Sequence, residues 1–119
     1  EGVIPRDSYI AESSAYAQQF WPVYNQFEKE MEQLRAQRRA NLRHARDHFA
    51  TMTDAEVANV IEEQMALEQK ELNVRKEYND RFMAVLPVKK VARLYVAEVR
   101  FKQLLLERLK DRRGEGGRP

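Results

Sequence analysis

The stretch that decides the fold is FWPVYNQFEKEMEQLRAQRRANLRHARDHF, residues 20–49. Steps of three and four pick out Phe20, Tyr24, Phe27, Met31, Leu34, Arg38, Leu42, Ala45 and Phe49. That spacing keeps one stripe on the same side of a helix for about eight turns, which describes an amphipathic helix meeting a partner along its length. The stripe is apolar except at Arg38. Beside it Arg35, Arg39, Arg43 and Arg46 share one arc, because each residue turns the helix by ~100°. The rest of the chain has to cover or complete this helix.

At 119 residues the chain has room for one domain and no second core. Apolar residues make up 43% and charged residues 34%, enough for packed helices and too apolar for a disordered chain of this charge. No apolar run reaches the ~20 residues that span a bilayer, so no membrane insertion is expected. The chain begins without an initiator Met or a signal-peptide pattern, so an export signal, if the precursor has one, is not in view. It has no cysteine, which excludes disulfides and thiol chemistry and is compatible with an oxidising compartment.

Net charge is only +2, but it is unevenly spread. Five arginines and no acid lie between Arg35 and Arg46. Eight acids against three bases lie between Asp54 and Asp80, and nine bases against three acids between Lys89 and Arg113. Basic, acidic and basic segments in that order describe helices that attract each other and leave surplus positive surface.

Gly2, Pro5 and Asp7 mark residues 1–12 as an extended lead-in, and Asp7, Ser8 and Ser13 are the plausible N-caps of the first helix. Pro22 either kinks that helix or opens a second one. The unbroken phase from Ala17 and Phe20 through Tyr24 and Phe27 favours the kink, with the helix ending near His48. Thr53-Asp54-Ala55-Glu56 is a capping box that starts the next helix. This helix directs Val57, Val60, Ile61, Met65, Leu72, Tyr78, Phe82 and Val85 toward a core, and stops at Leu86 because the residue before a proline leaves helical torsions. Pro87 opens a third helix at its first position, with Val88, Val91, Leu94, Tyr95, Phe101, Leu105 and Leu109 as its apolar face. Residues 13–113 form the helical domain and 114–119 a Gly-rich tail.

No strand-like alternation appears, so the expected class is all-α, an elongated bent helical hairpin of three to four helices. A helix of this length is ~50 Å long, against a radius of gyration of about 13–14 Å for a compact globule of this size. One copy would leave much apolar surface in water, and a homodimer is expected to cover it.

Three stretches carry a family resemblance: Phe20-Trp21-Pro22-Val23-Tyr24-Asn25, Met52-Thr53-Asp54-Ala55-Glu56, and Val85 through Tyr95, reading VLPVKKVARLY. Together, over roughly Ser13 to Arg113, they resemble the Spy/CpxP-like periplasmic proteins, whose LTxxQ motifs start helices after short turns. The nearest branch is the one described as a sensor of an extracytoplasmic-function sigma factor. Met52-Thr53-Asp54-Ala55-Glu56 departs from Leu-Thr-x-x-Gln at both ends, and Pro87 stands where the second motif has Thr. The resemblance implies a helical hairpin that dimerises as an antiparallel cradle in the periplasm. Its basic, partly apolar concave face would hold unfolded clients without ATP, or would dock on a membrane-bound sensor or anti-sigma partner.

The candidate binding residues are Arg35, Arg38, Arg39, Arg43 and Arg46, which either attract acidic or unfolded polypeptide or pair with the acidic second helix. Arg38 either meets a carboxylate such as Glu68 or faces an open surface. Trp21, to one side of the stripe, is the candidate client contact. Phe20, Tyr24, Phe27, Met31, Leu34, Leu42 and Phe49 are expected in the core or dimer seam. His44 and His48 stand at metal-ligand spacing, so zinc or nickel could bind if a carboxylate such as Glu62 or Glu63 joined them; otherwise no cofactor is expected. The arginines lack interleaved aromatics and a recognition-helix pattern, which argues against nucleic acid. Nothing resembles a catalytic constellation, and no enzyme activity is expected.

Overall fold

The structure, a computed structural model, describes residues 14–116, with side chains described from 16 to 112. The expected lead-in and the N-caps Asp7, Ser8 and Ser13 lie outside the described residues. Three helices follow one another: α1 (Ser14–His48), α2 (Asp54–Val85) and α3 (Val88–Gly116), with one turn of 3₁₀ helix (Phe49–Thr51) between the first two. The protein is all-α, and α1 and α2 form an elongated hairpin. Its radius of gyration is 18.5 Å and its extents are 56 × 43 × 19 Å, well beyond a compact globule of similar length.

Local chemistry sets the breaks. Pro22 lies inside α1, which continues through it, so one helix carries the stripe from Phe20 to Ala45, with Phe49 in the turn that follows. At the start of α2, Glu56 N–H donates to the Thr53 hydroxyl at 3.2 Å and Thr53 N–H donates to the Glu56 carboxylate at 2.8 Å, the reciprocal capping box. Leu86 is extended ahead of Pro87, and its N–H closes the end of α2 on the Phe82 carbonyl at 2.8 Å. Pro87 sits one place before α3, where its carbonyl accepts from Lys90 and Val91. α3 then continues to Gly116, into the stretch expected to be tail.

The core sits at the base of the hairpin, where all three helices meet. Phe20, Trp21, Tyr24, Phe27 and Met31 of α1 pack with Tyr78, Phe82 and Leu86 around α2 and with Val91 and Leu94 of α3. Six aromatic rings interlock there, with neighbouring centroids from 5.0 to 6.3 Å apart. Burying each such ring stabilises the fold by about 1.5–3 kcal/mol.

Away from the base, burial thins out. Leu67, not singled out by spacing, is fully buried, whereas Ile61, Met65 and Leu72, expected to face a core, are exposed, as are Leu42 and Phe49, expected in the core or dimer seam. Leu34 is half-buried. On α3 every described residue from Lys102 to Arg112 is exposed, Leu105 and Leu109 among them. The physical reason is that two helices bury only the stripe between them, and α3 leaves the hairpin after about Phe101.

Candidate functional site

Beyond the aromatic base the hairpin becomes a narrow arm, and the sequence-predicted residues lie mostly along it. Asn41 fixes the two helices near its tip: its amide donates to the Val60 carbonyl at 3.0 Å and reaches Gln64 at 3.5 Å. Thr51 donates to the His48 carbonyl at 3.1 Å, closing the 3₁₀ turn.

The five arginines of α1 are not one continuous free patch. Arg38 crosses to α2 and meets Glu71 at 2.8 Å, rather than Glu68 or open solvent. Arg35 lies 3.6 Å from Glu28 and 3.8 Å from Glu32. Arg39 reaches Glu32 at 2.6 Å, and this hydrogen bond is the main reason the Glu32 carboxyl is held below its ordinary range. Arg46 turns to Asp47 at 3.2 Å. Arg43 is exposed and makes no ion pair among the described residues. Arg39–Glu32 and Arg46–Asp47 are exposed pairs, which contribute only ~0–1 kcal/mol, so an incoming anionic chain can exchange for those two carboxylates.

Apolar side chains border these cations. Leu42, on α1 between Arg39 and Arg46, is 48% exposed, and Phe49 in the 3₁₀ turn is 66% exposed. Trp21, by contrast, is 8% exposed and belongs to the base core, edge-on to Phe20 and Tyr24. Phe20, Tyr24, Phe27 and Met31 are in the same core. Thus the arm offers guanidinium groups beside exposed carbon, and the aromatic cluster offers none of its own surface.

His44 and His48 lie with ring centroids 4.6 Å apart. The Nδ1 of His48 is 3.0 Å from the His44 carbonyl, which leaves Nε2 as its outward nitrogen. Among the described residues no group of three or more histidines and carboxylates comes together around a metal position, so Glu62 and Glu63 do not complete a site with the pair.

A second polar cluster was missed. Glu98 of α3 is 8% exposed at the edge of the core, where Tyr24 donates to it at 3.3 Å. Burial raises its carboxyl above the ordinary value; Arg75 opposes the shift and Glu28 adds to it. Oε1 of Glu28 is itself buried with no hydrogen-bond partner among the described residues. Nearby, Tyr78 donates to Glu30, and burial, followed by that carboxylate, pushes the phenol up to about 12. The available signal was a carboxylate on the Leu94–Glu98–Phe101 stripe of α3.

No family model, curated protein or solved structure matches the chain. Among the described residues no helix is long and apolar enough to cross a membrane.

Proposed function

We propose that this protein is a periplasmic, ATP-independent chaperone-like protein that works as a homodimer and holds unfolded polypeptide on the arm of its hairpin. The supporting observation is the adjacency of exposed Leu42 and Phe49 to Arg39, Arg43 and Arg46. Charge draws an unfolded chain from a distance, and the apolar groups add short-range contact that is weak at any single point. Such binding releases its client easily and needs no nucleotide. The resemblance to the Spy/CpxP-like proteins points the same way and supplies the compartment.

The test is light scattering from a denatured client that aggregates on dilution. Stoichiometric dimer suppresses the signal at low salt. Raising the ionic strength, or replacing Arg39, Arg43 and Arg46 with Glu, cuts that suppression several-fold, because exposed charges are screened beyond ~10 Å at 0.1 M salt. Absence of suppression, or indifference to the charge reversal, defeats the reading.

A second reading is a regulatory module that docks on a sensor or anti-sigma partner. It is favoured by the adjacent imidazoles of His44 and His48 on the exposed face near the tip. Calorimetry with zinc and nickel separates the two readings: micromolar binding that vanishes in His44→Ala supports a metal-linked regulator, and no heat removes that version.

A further inference from the structure

The α2–α3 contact at the base follows a heptad seam. Along α2 it contains Arg75, Asn79 and Phe82 and ends at Leu86 just past the helix, and on α3 it contains Val91, Leu94, Tyr95 and Glu98. Across this contact Tyr95 of α3 donates to Asn79 of α2 at 2.6 Å.

Both halves of this seam continue past the point where the helices separate. On α2 the same three-and-four spacing runs back through Leu72, Glu68, Met65 and Ile61. Ile61 is 51% and Met65 65% exposed. On α3 it runs on through Phe101, Leu105 and Leu109 to Arg112, exposed from Lys102 onward. Paired as antiparallel heptads, the two exposed stretches would set Leu72 opposite Phe101, and Met65 opposite Arg108 and Leu109. The charges match as well. Between Ile61 and Leu72 there are four carboxylates and one lysine, with Glu71 already tied to Arg38. Between Arg100 and Arg112 there are five bases and two acids.

The two halves cannot readily close within one chain. The base contacts fix the direction of α3, and no Pro or Gly lies between Val88 and Arg113 to kink it. We infer that the distal half of α3 seats on the Ile61–Leu72 face of a second copy of this chain, and that the partner's α3 does the same in return. A two-fold axis satisfies both exposed halves with two identical seams, the isologous arrangement of a closed dimer. This inference rests on the homodimer of the proposed function and adds which surfaces build it.

The absence of cysteine gives a background-free test. Met65→Cys and Leu109→Cys are made as separate single variants at exposed positions, and far-UV dichroism checks that helicity is retained. The two are then mixed under mild oxidation. A disulfide-linked dimer several-fold more abundant in the mixture than in either variant alone supports the swapped seam. A dimer by sedimentation that yields no such cross-link overturns the seam and leaves the homodimer standing. A double variant that forms its disulfide within one chain overturns it too, because α3 then closes on its own α2. A monomer at all micromolar concentrations overturns both.

Discussion

The base and the arm of this molecule are built from the same helices and the same apolar spacing, yet they differ in almost every physical respect. At the base three helices converge, and Phe20, Tyr24, Met31 and Leu94 are fully buried. Along the arm α1 meets α2 alone, Leu67 is the fully buried large side chain, and Leu42, Ile61 and Met65 remain in water. The number of neighbours, more than the apolar pattern, decides which stripe becomes core. A stripe prepared for burial but left uncovered is available for a second molecule, whether a client or another copy.

Truncating one side chain in each region exposes the difference in packing most directly. Phe82 contacts Phe20, Tyr24 and Phe27 across the helices and Tyr78 one turn away on α2. Phe82→Ala should cost about 3–5 kcal/mol, as for other fully buried aromatics, measured by urea unfolding followed by dichroism. Ile61→Ala on the arm should cost less than about 1 kcal/mol in the monomer. Equal costs would mean that the arm is covered as completely as the base.

A smaller effect concerns the start of α2. The Thr53 hydroxyl and the Glu56 carboxylate satisfy two backbone donors that otherwise have no partner within the helix. Thr53→Ala should cost roughly 1 kcal/mol, and hydrogen exchange should quicken first in the opening turns of α2. If protection is lost at the base instead, the arm and base unfold as one unit, and the contrast drawn between them holds only for packing.

Much of this was legible in the sequence, and the gaps have a common cause. The all-α class, the capping box at Thr53 and the stop before Pro87 depend on residues close together in the chain, so local chemistry determines them. The base core was legible because Phe20, Tyr24, Phe27 and Met31 are too dense to leave in water. The burial of Leu67 and the pairing of Arg38 with Glu71 depend on how α1 and α2 face each other along the arm, and the exposure of Ile61 and Met65 depends on where α3 goes. Spacing gives the phase of a stripe, but it does not say how far a neighbouring helix follows it. The candidate arginines were legible as a flank, while their engagement with Glu28, Glu32 and Asp47 was not.

A weaker effect is expected at the boundary between base and arm. Glu98 sits where α3 begins to leave the base, and burial raises its carboxyl above the ordinary value of 4.5. A raised carboxyl binds its proton more tightly in the folded state, so its contribution to stability is fully present below the ordinary value. It is lost as pH rises through the raised folded value. Glu98→Gln keeps the shape and a hydrogen-bonding group for Tyr24 while removing the charge. The variant should therefore match the parent at acid pH and gain up to about 1 kcal/mol at pH 8, the smaller end of what a poorly solvated buried group costs. Urea unfolding of both proteins at pH 4 and pH 8 reads the difference directly, and because each is compared with its parent, titration of Glu32 and Glu56 cancels. An advantage of the same size at both pH values would place the effect in packing. A loss at pH 8 would show that Arg75 and Tyr24 more than offset the burial, and that the carboxylate anchors α3 to the base in its charged form.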